Sequence, residues 1–269
     1  MLSIVVPTFK EAENLPQLAE LIHSCIGPDS NGAAINYELI VVDDMSPDET
    51  VDVCRQLSEM YPLKLLRPQG RSRDLSLSVI DGIKCAANDI VLVMDADLSH
   101  PPGKIAEMLK KFVETDGAFA IGSRYISGGS FDRDWSLWRF INSHIATLLA
   151  RPLVKCSDPM SGFFMFSRQA LGDLAKLNPI GYKIGLEIMV RGDFKRVEEV
   201  PIGFKDRELG ASKMNFNQQW KYLRHLRRLY LHKFKGWAEF VHFGAVGASG
   251  FVIDLAFYYL FQMLGVNHI

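Results

Sequence analysis

The stretch DIVLVMDADLSH, residues 89–100, decides the fold. Its first half, Ile90–Met94, is an unbroken apolar run, which is typical of a strand buried on both faces of a parallel sheet. Its second half begins with Asp95-Ala96-Asp97, so two carboxylates follow the strand directly. Ligands of open α/β sheets bind outside the carboxyl ends of the strands. The stretch therefore predicts an α/β fold with a polar site beside Asp95.

Similar apolar runs recur on both sides of this strand, as far as residue 125. Further strands are predicted at Leu2–Val6, Leu39–Val42, Leu63–Leu66 and Phe119–Ile121. Amphipathic stretches predict helices near Glu13–Cys25, Thr50–Tyr61, Ser76–Ala87 and Lys104–Thr115. This alternation indicates βαβ units and a mostly parallel, Rossmann-like sheet. We expect Ser46 to cap the second helix, with Pro47 in its first position and Glu49 completing a capping box.

Polar side chains follow the other predicted strands too. The first strand ends in Pro7-Thr8-Phe9-Lys10-Glu11, the second in Asp43-Asp44 and the fifth in Gly122-Ser123-Arg124. Because the carboxyl ends of parallel strands meet at one edge, we expect a single site there. Carboxylates spaced like Asp95 and Asp97 can both approach Mg²⁺ or Mn²⁺, with substrate phosphates and water as further ligands. Such a cation would stabilise charge on a departing nucleoside diphosphate.

Each of these features also has a simpler interpretation. An acidic turn after a strand is common, and this is the alternative for Asp95 and Asp97. Asp43-Asp44 either caps the following helix or accepts hydrogen bonds from a base or ribose. Surface charge and phosphate recognition are the two interpretations of four basic residues, Arg124, Arg139, Arg207 and Lys213.

Beyond residue 125 the pattern loosens. Predicted elements there are a helix at Trp135–Leu149 that carries Arg139 and Ser143, a strand at Met160–Ser167 followed by a helix through Lys176, a strand at Phe194–Pro201, and a polar loop at Asp206–Lys213. From Gly210 to Ala238 basic and aromatic residues accumulate without an acidic side chain. This composition is typical of an amphipathic helix in the headgroup region of an anionic leaflet.

The next segment, Phe240–Leu264, is almost wholly apolar and long enough to span a bilayer. An ionisable side chain facing lipid is costly, so we expect Asp254 to face other helices. Those helices would come from another subunit, in a homo-oligomer, or from a part of the membrane domain that this chain lacks. The basic residues before the span predict a membrane protein whose catalytic domain is cytoplasmic.

Composition and motifs exclude several classes of protein. The chain has 269 residues, 48% of them hydrophobic, which suits one large α/β domain with a small attachment. A net charge of −1 argues against nucleic acid as a partner. The four cysteines are scattered, which argues against a zinc site or disulfide framework. The seven histidines show no HExxH or other ligand spacing, and the absence of GxSxG, P-loop and GxGxxG motifs argues against serine hydrolases, P-loop NTPases and typical dinucleotide enzymes.

Six motifs together resemble glycosyltransferase family 2, and most closely its dolichyl-phosphate mannose synthase branch. They are IVVPTFKEAENL (4–15), ELIVVDDMSPDET (38–50), DIVLVMDADLSHPP (89–102), IGSRY (121–125), DPMSGFFMFSR (158–168) and FKDRELGASK (204–213). The resemblance implies a GT-A fold over residues 1–215. It also implies inverting transfer from a nucleotide-sugar, GDP-mannose, to the phosphate of a polyprenol such as dolichol.

The resemblance also implies roles for individual residues. Nucleotide-sugar contacts fall to Pro7, Phe9, Glu11, Val41, Asp43, Asp95, Ala96, Asp97, Arg124, Arg207 and Lys213. Metal ligands would be Asp95, Asp97 and Ser99, the last standing where some relatives carry Gln. The acceptor phosphate would meet Arg124, Arg139 and Ser143, and the catalytic residues would be Asp97, Arg124 and Arg139. Relatives usually carry a glycine-rich segment where this chain has Arg73–Leu77, so the backbone there is expected to differ.

The expected organisation has three parts. Residues 1–215 form the catalytic domain, residues 216–236 a basic interface segment, and residues 237–269 a transmembrane segment similar to the start of a GtrA-like domain. A UDP-hexose donor, a nucleotidyltransferase and a non-catalytic, membrane-anchored nucleotide-sugar-binding module are the alternatives. A processive polysaccharide synthase is disfavoured because the chain lacks the QxxRW motif of such enzymes.

Overall fold

The computed structural model describes residues 1–28, 34–116, 119–131, 137–204, 216–236 and 249. For residues 131, 137–141, 216 and 217 only the backbone is described. The chain divides into two units, Met1–Leu226 and Arg227–Ile269. The sheet belongs to the first unit, and the described part of the second is chiefly the end of the last helix.

Strands and helices alternate through the first half of the chain. The described strands are β1 (Leu2–Thr8), β2 (Tyr37–Asp43), β3 (Leu63–Leu66), β4 (Ile90–Val93), β5 (Phe119–Ser123), β6 (Ser130–Phe131), β7 (Phe164–Ser167), β8 (Val197–Pro201) and β9 (Gly203–Phe204). The described α-helices are α1 (Leu15–Ile26), α2 (Thr50–Ser58), α3 (Leu75–Cys85), α4 (Ile105–Glu114), α5 (Leu137–Ala150), α6 (Arg168–Leu171), α7 (Ile184–Arg191) and α8 (Phe216–Lys233). The first five predicted strands are therefore confirmed.

The main sheet has seven strands in the order β3-β2-β1-β4-β7-β5-β8. Its neighbours pair in parallel, except that β7 runs antiparallel to both β4 and β5. The prediction of an α/β fold with a mostly parallel sheet is confirmed. Because β7 comes from the second half of the chain, that half is built into the same sheet as the first.

Helices cover both faces of the sheet. Alternate residues of β1, Leu2–Val6, belong to a buried cluster with apolar residues of α1, α2 and α4. The helix α3 lies on the other face, where Val5 and Val42 point. A Cβ on Gly82 would come within 2.4 Å of Val5 Cγ1, so only glycine permits this close approach. The sheet is thereby held between two apolar layers.

The predicted capping box at the start of α2 is wrong. The helix begins at Thr50, and Glu49 precedes it without a side-chain capping bond. The hydroxyl of Ser46 instead accepts a hydrogen bond from Lys10 N, 2.9 Å away. Asp48 Oδ1 serves the start of the helix, accepting from Thr50 N at 3.3 Å. The Ser46 oxygen that the sequence predicted as a helix cap therefore accepts a hydrogen bond from Lys10 N, in the loop after β1.

The second half of the chain departs further from the sequence prediction. The strand expected at Met160–Ser167 forms only over its last four residues, as β7. The helix expected through Lys176 is limited to the single turn of α6 and a 3-10 turn, Leu174–Lys176. Gly172, with φ of 72°, interrupts it. The strand predicted at Phe194–Pro201 forms as β8.

The basic segment predicted at residues 216–236 forms α8. No helix among the described residues has both the length and the apolar character needed to cross a bilayer. The predicted span, Phe240–Leu264, lies outside the described residues except for position 249.

Candidate active site

Three neighbouring strands bring their carboxyl ends to one edge of the sheet. β1 lies between β2 and β4, and Thr8 pairs with Asp43 across the first of these ladders. Met94 N donates to Val5 O over 3.2 Å, which continues the second ladder. Asp43 at the end of β2 and Asp95 just beyond β4 therefore lie on either side of the end of β1.

The carboxylate of Asp43 is buried and is bound within the protein by Ser46 N and Arg67. Both oxygens lie 3.2 Å from Ser46 N, which donates to them. Arg67 Nε lies 3.2 Å from Oδ2 and completes an ion pair. Asp43 therefore shapes the loop after β2, and a ribose hydroxyl would have to add to these bonds.

The segment Arg73–Leu77 lies at the same edge, next to Asp44 and Phe9. Asp74 caps α3 with its side chain, and its backbone N–H donates to Asp44 over 2.8 Å. The Arg73 guanidinium lies 3.8 Å from the centre of the Phe9 ring, within the range of a cation–π contact. Arg73 therefore places a cation over the aromatic ring just beyond the end of β1.

The remaining predicted nucleotide contacts lie at or near the same ends. Glu11 accepts a hydrogen bond from Asn14 Nδ2 at 2.7 Å, and its backbone N–H donates to Thr50 Oγ1 at 3.3 Å. Pro7 and Val41 are buried within β1 and β2. These contacts fix the loop that follows β1.

Asp95 and Asp97 are partly exposed, while Ala96 between them is buried. Leu98 takes a φ of 60°, which turns the chain sharply after the second carboxylate. The backbone N–H of Ser99 donates to Asp97 Oδ1 over 3.2 Å, and the Ser99 hydroxyl donates to the same oxygen. One oxygen of Asp97 is thus oriented by Ser99.

His100 lies directly beneath this loop. Asp95 N donates to His100 Nδ1 over 3.0 Å, so the proton of the neutral ring is assigned to Nε2, 3.9 Å from Asp95 Oδ2. The ring stacks on Phe163 with 5.3 Å between centroids. Burial lowers the pKa of His100, against the opposing effect of the Asp95 and Asp97 carboxylates. The imidazole is therefore a neutral support for the Asp95 backbone.

Arg124 and Asp158 form a buried ion pair beside these carboxylates. Arg124 Nε and Nη2 donate to the two oxygens of Asp158 over 2.7 and 2.8 Å, and the Arg124 backbone N–H donates to Oδ2 over 3.1 Å. Burial by itself lowers the pKa of Arg124, but the bonds to Asp158 outweigh it and the net pKa is raised. The guanidinium is thus charged and fixed in orientation by a two-pronged pair.

The loop that begins with Asp158 passes very close to Asp95. A Cβ on Gly162 would lie 3.2 Å from Asp95 Oδ2 and 3.2 Å from His100 Cε1. Glycine is therefore the residue that lets this loop approach the carboxylate without displacing it. The loop links the Arg124 pair to the Asp95 carboxylate.

Lys183 is a further cation beside the same groups. Its ammonium donates to Met160 O over 2.9 Å. Burial and the nearby Arg124 charge lower the pKa of Lys183, the Asp158 and Asp95 carboxylates act in the opposite direction, and the net pKa is about 8. Lys183 therefore belongs electrostatically to this site.

The structure describes only part of the predicted acceptor site. The hydroxyls of Ser143 and Tyr125 lie 2.8 Å apart, so Ser143 of α5 is adjacent to the residue that follows Arg124. Arg139 lies in α5 one turn before Ser143, but its side chain lies outside the described residues, as do Arg207 and Lys213. Ser143 thus contacts the residue that follows Arg124, and the roles predicted for Arg124, Ser143, Arg139, Arg207 and Lys213 stay predictions.

The Asp95–Asp97 pair suits a hard divalent cation. Mg²⁺ is usually held by one or two carboxylates together with substrate phosphates and water, and Mn²⁺ also prefers oxygen ligands. Among the described residues, no group of three or more His, Cys, Asp and Glu side chains comes together for a metal. A cation held by Asp95 and Asp97 would have positions for substrate phosphates and water as further ligands.

Three residues of this site were absent from the sequence prediction. Asp158 and His100 both lie within motifs that carried the family resemblance, and their place in those motifs is the sequence signal that could have identified them. For Lys183 the sequence offers no comparable signal, because its partner Met160 is 23 residues away and the contact depends on the fold.

Comparisons with known proteins identify the family of this chain. Residues 3–175 match the family described as glycosyl transferase family 2. A dolichol-phosphate mannosyltransferase of Pyrococcus furiosus is 38% identical over 98% of this chain and 73% of its own length. The Saccharomyces cerevisiae protein of the same name is 34% identical over 86% of this chain and 88% of its own length.

The fold is also that of solved glycosyltransferases. Glucosyl-3-phosphoglycerate synthase from Mycobacterium tuberculosis, in complex with Mn²⁺, uridine diphosphate and glucosyl-3-phosphoglycerate, superposes with a TM-score of 0.59. The match has 18% sequence identity and covers 87% of this chain and 79% of that one. This chain therefore belongs to glycosyltransferase family 2 and is a glycosyltransferase with a GT-A-like fold.

Proposed function

We propose that this chain transfers mannose from GDP-mannose to a polyprenyl phosphate such as dolichyl phosphate, with inversion and with the help of Mg²⁺ or Mn²⁺. The observation that carries the proposal is the site itself, in which a pair of carboxylates on one strand end lies beside a buried arginine on another. Relatives named dolichol-phosphate mannosyltransferase, at 34–38% identity over most of the chain, support the choice of acceptor and sugar.

On the donor side, Asp95 and Asp97 would hold the cation, which supplies positive charge to the leaving nucleoside diphosphate. Ser99 orients one oxygen of Asp97, and His100 supports the backbone of Asp95. The nucleotide would lie along the ends of β1 and β2, against Phe9, Glu11 and Asp43, with Pro7, Val41 and Ala96 forming the floor. Arg207 and Lys213 would close over the donor.

On the acceptor side, Arg124, Arg139 and Ser143 would receive the phosphate. A phosphate oxygen is already ionised at neutral pH, so the attacking group needs no strong general base. Catalysis would then rest on positioning and on electrostatic stabilisation by fixed cations. The hydrogen bond from Asp95 N to His100 Nδ1 supports this, because it occupies the nitrogen through which a neutral imidazole would act as a base.

We further propose three functional segments and a membrane location. Residues 1–215 would form the catalytic domain on the cytoplasmic side, residues 216–236 a basic segment at the bilayer surface and residues 237–269 a transmembrane segment. Four exposed residues of α8 support the second: two apolar, Trp220 and Leu223, and two basic, Lys221 and Arg224. Such a mixture suits an anionic membrane surface.

The direct test is to supply membranes that contain the protein with polyprenyl phosphate and labelled GDP-mannose or UDP-glucose. Mannolipid formed with Mg²⁺ or Mn²⁺ and lost in excess chelator is the expected result. If labelled lipid forms from UDP-glucose and not from GDP-mannose, the donor is UDP-glucose instead. Product that persists in excess chelator would contradict the proposed role of the metal ion.

Two variants assign the sites. Asp97→Ala should abolish transfer without unfolding the protein, whereas the exposed Asp52→Ala should leave transfer unchanged. Arg139→Ala should raise the acceptor KM more than the donor KM. The reverse pattern would move Arg139 to the donor side, and near-normal turnover of Asp97→Ala would refute the metal site.

A further inference from the structure

Lys183 immediately precedes α7 and projects into the site. Among the described residues its ammonium makes one hydrogen bond, to Met160 O at 2.9 Å, and it lies 4.6 Å from the centre of the Tyr182 ring. An ammonium has three N–H donors and no acceptor. Within the part of the chain that the structure describes, the bond to Met160 O leaves two of these donors for another group.

The nearby carboxylates do not neutralise this lysine. Both carboxylate oxygens of Asp158 accept hydrogen bonds from Arg124, from Nε over 2.7 Å and from Nη2 over 2.8 Å. Neither Asp158 nor Asp95 comes within 4.0 Å of the Lys183 ammonium among the described residues. A partly buried cation without a carboxylate partner is unfavourable, because the surrounding protein replaces only part of its hydration. An anionic ligand would remove that cost.

The segment that carries Lys183 is held on three sides. Asn178 N donates to Glu187 Oε1 over 3.0 Å, and Ile180 N donates to His225 Nδ1 over 3.2 Å. Gly181 O accepts from the Ser76 hydroxyl at 2.6 Å. These bonds join the segment to α7, α8 and α3. The lysine is therefore positioned by the fold, unlike the mobile lysines of a solvated surface.

We propose that Lys183 is a phosphate-binding residue whose ammonium donates a hydrogen bond to a phosphate oxygen in the loaded site. The phosphate is either the diphosphate of the nucleotide-sugar or the monophosphate of the lipid acceptor. The proposal rests on the function proposed above and adds to it a cation that the motifs do not mark. Arg124 and Lys183 would then present two positive charges, one fixed by Asp158 and one by Met160.

The test compares equilibrium binding of two probes to the full-length protein in detergent. The probes are GDP with Mn²⁺, followed by calorimetry, and a short-chain polyprenyl phosphate, followed by fluorescence. Lys183→Met removes the charge and keeps the length of the side chain, and Lys183→Arg restores the charge. Lys195→Met is the control, because Lys195 is exposed and pairs with the exposed Asp116.

Lys183→Met should weaken one probe by about tenfold or more, as expected for the loss of one charge-assisted hydrogen bond. Lys183→Arg should recover part of that loss, and Lys195→Met should bind as wild type. Weaker binding of GDP assigns Lys183 to the donor, and weaker binding of the lipid phosphate alone assigns it to the acceptor.

Dissociation constants of Lys183→Met within twofold of wild type for both probes would overturn the proposal. So would an equal loss in Lys183→Met and Lys183→Arg accompanied by a lower Tm, because that pattern indicates a packing role. Wild-type protein that binds both probes but transfers no sugar contradicts the proposed function only, since Lys183 is judged by binding.

Discussion

Asp158 and Arg124 face each other as a two-pronged pair, with Arg124 Nε 2.7 Å from Oδ2 and Nη2 2.8 Å from Oδ1. Asp158 has no solvent exposure, so the pair is shielded from water and salt. It joins the end of β5 to the loop that passes Asp95. The Nε and Nη2 side of the Arg124 guanidinium is therefore bound to Asp158, and the orientation of the guanidinium is fixed before any substrate binds.

Asp158→Asn tests this relationship. An amide cannot replace a carboxylate that accepts two guanidinium bonds, and breaking a buried pair costs about 3–5 kcal/mol. We expect a transfer rate at least about 100-fold lower and a clearly lower free energy of unfolding, measured by urea denaturation. The control is Asp116→Asn, which removes an exposed pair with Lys195 and should change neither quantity. Wild-type rate and stability in Asp158→Asn would show that the pair is dispensable.

Gly162→Ala tests the close approach of the loop to Asp95. The added methyl group would lie 3.2 Å from both Asp95 Oδ2 and His100 Cε1, so one of them must move. We expect a higher Mn²⁺ concentration for half-maximal transfer, with little change in Tm. Gly103→Ala is the matched control, because among the described residues its methyl group would meet just Cys25 Sγ, at an ordinary contact distance of 3.9 Å. Equal metal dependence in both variants would contradict the proposed crowding at Asp95.

Ser99→Ala tests how Asp97 is held. The substitution removes the hydroxyl that donates to Asp97 Oδ1 but keeps the backbone donor at 3.2 Å. Loss of a hydrogen-bond partner of a metal ligand typically costs about 10–100-fold in metal affinity or activity. We expect a change of that order in the metal titration. Ser24→Ala should cause no such change, because that hydroxyl donates to Leu21 O within α1, on an exposed face.

Glu38→Gln tests a charge at the opposite end of the sheet. Burial by itself raises the pKa of Glu38, but hydrogen bonds from Lys64, Ser3 and Ala87 N outweigh it, so the net pKa is lowered. A carboxyl whose pKa is lower in the folded state stabilises the fold above its unfolded pKa of about 4.3. That stabilisation is lost as the pH falls through the folded pKa.

Glu38→Gln should therefore unfold at a lower urea concentration than wild type at pH 7. The difference should shrink as the pH is lowered below about 4, because wild type then loses the same contribution. Glu114→Gln, in an exposed pair, should follow wild type throughout. A difference that stays constant with pH would show that the charge of Glu38 contributes nothing.

The strands of the first half could be predicted because each has a strong local signal. Runs such as Ile90–Met94 are apolar throughout and end in polar residues, and a strand buried on both faces requires that composition. The capping box at Ser46 failed for the opposite reason. A serine oxygen can serve any nearby donor, and Lys10 N, 36 residues away, is the donor that the fold supplies.

The second half could be predicted less well because its structure depends on distant partners. β7 is short and pairs antiparallel with β4 and β5, an arrangement with no counterpart in the local pattern. The eight residues of α7 were missed for the same reason, since a helix this short is stabilised mainly by packing. The loop between Asp158 and Gly162 contacts the site only because β7 enters the middle of the sheet.

The sequence by itself determined the α/β class, the carboxylates after β4 and the family, because apolar periodicity and a string of motifs are properties of neighbouring residues. Only the tertiary structure decided that Asp158 binds Arg124, that His100 supports Asp95 and that Lys183 reaches Met160. These contacts join residues brought together by the order of the strands, and the energy of a buried charge depends on what surrounds it rather than on its neighbours in the chain. Asp95 and Asp97 thus begin as an acidic pair in a motif and become, in the fold, one side of a site whose other side is cationic.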